Sequence, residues 1–90
     1  MEEAKRKKRT ALEDYGIKIE DELLTVNDVA KVLKTSESTV YRLINAGRLP
    51  FLKLGRVKVR KSSLLKFMEM YEGTDVSDPE NVTYLEKVYQ

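Results

Sequence analysis

The stretch LTVNDVAKVLKTSESTVYRLINAGRLP, residues 24–50, decides how the rest of this 90-residue chain is read. Thr25 is a good helix N-cap, and Asp28 three residues on makes a capping-box-like pair at the positive helix end. Val26, Val29, Ala30 and Leu33 fall at i, i+3, i+4 and i+7, one apolar stripe. Lys34-Thr35-Ser36 has no strong helix drive. Ser36 then caps a second helix over 36–46, with Glu37 in its first turn. Val40, Leu43 and Ile44 form its inward face, and Gly47 stops it where a left-handed backbone costs little.

Working outward, two short helices joined by about three residues make a helix-turn-helix candidate. Pro50 to Arg60 reads as a β-hairpin with a two-residue turn at Gly55-Arg56. That turn pairs Leu54 with Val57, Lys53 with Lys58, Leu52 with Val59 and Phe51 with Arg60. Leu52, Leu54, Val57 and Val59 then share one face, and Phe51, Lys53, Lys58 and Arg60 the other. Ser62 or Ser63 caps a third helix, where Leu64, Phe67, Met68 and Tyr71 repeat the helical spacing up to Gly73. Met68 and Met70 read as core filler.

Composition narrows the chemistry. The chain has no Cys and no His, which removes disulfides, thiolate nucleophiles, the usual zinc sites and imidazole catalysis. No catalytic residue, cofactor or metal is expected, and a hydrolytic enzyme is disfavoured. No apolar run reaches the roughly 18–20 residues of a membrane span, and no signal peptide opens the chain, so a cytoplasmic protein with no membrane partner is expected. The net charge of +2 conceals an asymmetry. Residues 1–22 carry six basic and seven acidic side chains, residues 23–68 ten and two, and residues 69–90 one and six; the nets are −1, +8 and −5. A cationic middle between acidic or mixed flanks is an argument for polyanion binding.

The runs Leu24-Thr25-x-x-x-Val29-Ala30, Ser36-x-x-Thr39-Val40-Tyr41-Arg42 and Gly47-Arg48-Leu49-Pro50, followed by Leu54-Gly55-Arg56, resemble the excisionase-like, MerR-type winged helix-turn-helix modules over about residues 23–70. The resemblance implies a mainly α fold with a small β-hairpin: helix-turn-helix, two-stranded wing, third helix, and flanking helical segments. It implies sequence-specific binding of double-stranded DNA, with the second helix in the major groove and wing 50–60 on backbone or minor groove. The role implied is an accessory factor in recombination or a small transcription regulator. The family usually places Gly or Asn in the turn where this chain has Lys34; if Lys34 must adopt a positive φ the turn carries strain, whereas a third helical residue there removes it. Only about twenty residues follow the third helix, so no small-molecule effector is expected.

Candidate contacts follow residue by residue. On the second helix they are Ser36, Ser38, Thr39, Tyr41, Arg42 and Asn45, with Arg42 suited to a guanine or a phosphate. Tyr41 donates to phosphate or packs its ring on the wing. Glu37 reads a cytosine amino group or complements the helix dipole, the second being favoured. Arg48, Lys53, Arg56, Lys58 and Arg60 supply wing and backbone contacts, with Arg56 as the minor-groove probe.

Three regions result. Residues 1–22 form an extension with a basic run at Lys5-Arg6-Lys7-Lys8-Arg9: a DNA-binding arm, a nuclear address in a eukaryote, or one side of a frayed helix from Glu2 to about Tyr15. Ile17 and Ile19 are placed to add a strand to the wing edge. Residues 23–73 are the binding domain. Residues 74–90 are an acidic segment in which Asp78-Pro79 starts a last helix with Val82, Leu85, Val88 and Tyr89 on its apolar side. That helix (78–90) either closes the core or meets a recombinase or a second copy. The competing reading is a winged helix that docks an acidic protein partner.

Overall fold

Thr25 closes a strand and opens a helix, and its side chain explains both. In the computed structural model, which describes residues 20–85, β1 (Leu23–Thr25) runs straight into α1 (Val26–Leu33). The Thr25 hydroxyl accepts from the Asp28 N–H at 3.0 Å, and the Asp28 carboxylate accepts from the Thr25 N–H at 3.0 Å, a complete capping box. The bonds to Thr25 hold the Asp28 carboxyl below its ordinary range. α2 (Glu37–Asn45) is capped by Ser36, whose hydroxyl accepts from the Thr39 N–H at 3.2 Å.

Both helices end in the same backbone motif. Thr35 N–H reaches the Ala30 carbonyl (2.9 Å) and Lys34 N–H reaches that of Lys31 (3.3 Å). In α2 the same two bonds run from Arg48 to Leu43 (2.9 Å) and from Gly47 to Ile44 (3.0 Å). This is the Schellman arrangement, which requires a left-handed residue just past the helix. Gly47 fills that position at φ +78°, whereas α1 uses Lys34 at φ +58°. The strain expected at Lys34 is therefore real.

β2 (Leu52–Leu54) and β3 (Arg56–Arg60) form the hairpin, and β1 adds a third strand in the order β1-β3-β2, all antiparallel. The extra strand comes from Leu23–Thr25; the strand expected around Ile17 and Ile19 lies outside the described residues. The hairpin register differs from expectation by one residue. Leu54 pairs with Arg56, Lys53 with Val57 and Leu52 with Lys58, with Gly55 alone at the tip, φ +73°. A one-residue slip moves a strand's side chains to the other face. Val57 and Val59 still face inward, but Leu52 (38% exposed) and Leu54 (66% exposed) share the outer face with Arg56, Lys58 and Arg60. The expected apolar/basic split thus holds for β3 and fails for β2. β3 is pinned from both sides, since Val59 is fully buried and pairs with Leu24. β2 is the edge of this sheet, with no strand beyond it among the described residues, so its parity follows the glycine turn.

α3 (Lys61–Met70) begins ahead of both expected serine caps, with Arg60 at the N-cap position and no side-chain hydrogen bond from it to the first turn. Leu64 and Phe67 are buried, and Tyr71 tilts against Phe67 at 4.9 Å between ring centroids. Met68 and Met70 are 37% and 62% exposed, so they are not core filler; α3 has only one covered face. The core joins Val29 of α1, Val40 of α2, Val59 of β3 and Leu64 of α3, with Leu49 from the α2–β2 loop at 1% exposure.

No helix begins at Asp78. β4 (Thr74–Asp75) and β5 (Thr83–Tyr84) pair antiparallel, and the intervening Asp78-Pro79 forms a turn in which Asn81 N–H donates to the Asp78 carbonyl at 2.9 Å. The Asp78 carboxylate accepts from Glu80 N–H (3.2 Å) and Asn81 Nδ2 (3.0 Å). Aspartate followed by proline marks a helix start and an Asx-type turn equally well, and here the turn wins. Val88 and Tyr89, the 5–9 basic run and the segment from Glu2 to Tyr15 lie outside the described residues.

Two stability measurements follow. Lys34→Gly removes left-handed strain and, after the entropy added to the unfolded chain, stabilises by about 0.5–1 kcal/mol in urea unfolding. Leu49→Ala leaves a cavity at the junction of all three helices and the hairpin and costs about 2–5 kcal/mol.

Candidate functional site

Burial of Val40, Leu43 and Ile44 fixes how α2 is rotated, and it turns Ser38, Tyr41, Arg42 and Asn45 outward, with Thr39 half-buried at the border. At the N-terminus of α2 the Ser36 hydroxyl lies 3.0 Å from those of both Ser38 and Thr39. Three hydroxyls therefore cluster at the positive helix end, where donors to an anion are favoured.

One flank of this face opens into a groove of about 260 Å³ shared with the hairpin tip. Glu37 and Tyr41 line its α2 side, Arg56 and Lys58 its hairpin side, and Asn27 of α1 its end. Asn27 has no place in the sequence-based site. Its side-chain amide donates to the Glu37 carboxylate at 2.8 Å, so Glu37 is tethered to α1. Asn27 lies off the apolar stripe, and nothing local signals a partner ten residues on.

The other flank packs against the β4–β5 segment, over a mostly apolar groove of about 420 Å³ that includes Leu33, Leu43, Phe67, Val76 and Leu85. From this side the segment reaches two arginines. Arg48 Nε donates to the Pro79 carbonyl at 2.8 Å, partly buried. Arg42 lies 3.5 Å from both the Ser77 carbonyl and the Asp78 carboxylate, through Nη1 and Nη2 respectively.

The cations expected on the hairpin separate into two groups. Arg56 and Lys58 sit at the tip beside α2, whereas Lys53, expected on the same face as Lys58, pairs with Val57 and is exposed on the opposite face of the edge strand. Arg60 sits at the far end of β3 and donates to Asp21 at 2.9 Å. Asp21 also accepts from the Ser62 hydroxyl (2.6 Å) and the Ser62 N–H (3.1 Å), while Lys61 N–H donates to the Glu22 carbonyl (2.8 Å). Asp21 is the missing cap of α3, supplied from 41 residues upstream. Arg60 and Arg48 are thus held by the protein itself; at the tip Lys58 Nζ donates to the Leu54 carbonyl at 3.3 Å, and Arg56 has no side-chain partner among the described residues. Among the described residues, no helix is long and apolar enough to cross a membrane.

The Ser62 hydroxyl, the Arg60 guanidinium and the Ser62 N–H hold the Asp21 carboxyl far below the usual carboxylate range. A depressed folded-state pKa contributes stability that is complete above the unfolded value, about 4, and lost as pH falls below it. Asp21→Asn is accordingly less stable than the wild type at neutral pH, and the difference shrinks as pH falls from about 4 toward 2. A difference that stays constant in thermal melts across this range contradicts the assignment.

Comparison with known proteins places the site in context. A family model described as a helix-turn-helix domain matches residues 23–71. Two curated relatives from Mycobacterium tuberculosis, "Putative DNA-binding protein MT0521" of strain CDC 1551 / Oshkosh and "Putative DNA-binding protein Rv0500A" of strain ATCC 25618 / H37Rv, are each 44% identical over 41 residues. The aligned part is 46% of this chain and 53% of each relative, so the chain spans about half the length of the curated relatives it matches. No solved structure matches the chain significantly.

Proposed function

Because the chain belongs to the helix-turn-helix domain family, whose model covers just over half of it, we propose that it binds double-stranded DNA in a sequence-specific manner. The observation that carries this reading is the exposed α2 face standing across one groove from Arg56 and Lys58. A helix of this size fits the major groove, and residues early in it meet base edges. Ser38, Thr39, Tyr41, Arg42 and Asn45 face the DNA, Ser36 chiefly caps the helix, and Arg56 at the wing tip enters or flanks the minor groove. Lys53 and Lys58 contact phosphates. Glu37, held by Asn27, complements the helix dipole and keeps the groove wall in place. The names of the two relatives are consistent with this reading. The role is that of an excisionase-like recombination factor or a small transcription regulator, acting in the cytoplasm without catalysis or cofactor.

Salt titration tests the assignment of the cations. Each neutralised phosphate contributes about −0.9 to the slope of log affinity against log salt. Five to seven contacts would give about −4.5 to −6.3, whereas Lys53, Arg56 and Lys58 alone give about −2.7. Arg56→Ala flattens the slope by about 0.9 and weakens all duplexes alike. Arg48→Ala lowers the unfolding midpoint and leaves the slope unchanged, because its guanidinium serves the Pro79 carbonyl. Absence of binding to any duplex at low salt overturns the reading in favour of a module docking an acidic protein.

A further inference from the structure

Asp78 stands beside the proposed recognition helix with a carboxylate that cannot turn away. Its two oxygens are occupied by Glu80 N–H and Asn81 Nδ2, 3.2 and 3.0 Å away. The segment carrying it is anchored on both sides: Pro79 is fully buried and its carbonyl receives Arg48, while Ser77 N–H donates to Asp75 at 2.9 Å. Arg42 meets it from the solvent side. Its Nη atoms lie 3.5 Å from Ser77 and Asp78, and both side chains of the ion pair are 55% exposed. The Nε–H edge of its guanidinium has no protein partner among the described residues.

That arrangement separates the two roles open to an arginine at a DNA surface. As a phosphate clamp Arg42 is poor, because Asp78 cancels its charge and repels the phosphate it approaches. As a reader of guanine it is improved. The O6 and N7 acceptors carry no net charge, and a guanidinium already held on one edge presents the other in a fixed plane. We propose that Asp78 is a specificity-determining residue, which orients Arg42 toward a guanine edge and suppresses its use as a sequence-independent phosphate contact. The proposal rests on the DNA-binding reading above and deepens it.

The test compares two duplexes: a random-sequence 20-base-pair DNA, and the duplex that the wild type enriches from a randomised pool. Asp78→Asn preserves the turn, since an amide oxygen still accepts from Glu80 N–H, and the unfolding midpoint checks that it folds. Expected is a gain of about two- to fivefold in affinity for the random duplex, the scale of an exposed ion pair, with a salt slope steeper by about 0.9. The enriched duplex gains less, so discrimination falls, and guanine preference weakens in a pool re-selected with the variant. In an Arg42→Ala background Asp78→Asn shifts both duplexes alike, since the carboxylate no longer repels phosphate, and leaves discrimination unchanged; Glu80→Gln, which removes a nearby charge without touching Arg42, likewise leaves discrimination intact. With Arg42 present, equal shifts on both duplexes or no shift overturns the proposal while DNA binding stands, as does a loss of discrimination that persists without Arg42. Failure of the wild type to bind any duplex overturns both.

Discussion

The N-terminus of α3 lacks a capping side chain of its own, and the rest of the fold is arranged around meeting that need. Asp21 supplies the acceptor, Glu22 supplies a carbonyl for the first helical N–H, and the next residues become β1. The cap, the β1–β3 ladder and the capping box of α1 therefore form one continuous run from residue 21 to residue 28. Because β3 leads directly into α3, the run fixes the hairpin against both helices. It also consumes Arg60, whose position on the strand had suggested a free cation. A single carboxylate with Ser62 and Arg60 around it thereby decides which end of the hairpin stays available to an anion.

What the sequence made legible was local. The caps at Thr25 and Ser36, the stop at Gly47 and the inward stripes of α1 and α2 depend on residues within one turn of each other, and all are present. The strained turn at Lys34 was legible for the same reason. The hairpin register was not. Its two candidate turns differ by one residue, and the pattern of Leu52 and Leu54 favoured the one that buries them. That argument assumes that the core extends under the edge strand, and among the described residues Leu52 and Leu54 remain exposed. The expected helix at Asp78-Pro79 failed because the same dipeptide serves two structures, and the choice rests on contacts with Arg48 and Arg42 made 31 and 36 residues away in sequence.

The site was half legible on similar grounds. Periodicity identifies which positions of α2 face outward, so Ser38, Tyr41, Arg42 and Asn45 could be named in advance. Counting charge could not show which cations are free. The excess of basic residues in the middle segment treats Arg48, Arg56 and Arg60 alike, whereas folding binds two of them to a carbonyl or a carboxylate and leaves Arg56 at the tip. Asn27 and Asp21 escaped notice because their partners are distant and their types are ordinary in loops and helix starts. Positive charge is a property of composition; its availability is a property of the tertiary structure.

The buried Pro79 extends this point to how short motifs travel between proteins. A proline residue contributes a carbonyl and no N–H, so its own backbone can only accept, and Arg48 meets it. The arginine of Gly47-Arg48-Leu49-Pro50 is therefore committed by a residue 31 positions later. In a homologue whose chain lacked the 77–79 turn, the same four letters would present an idle guanidinium to solvent. Identical words would then carry different chemistry, and transferring a role along such a motif requires knowing what lies downstream of it.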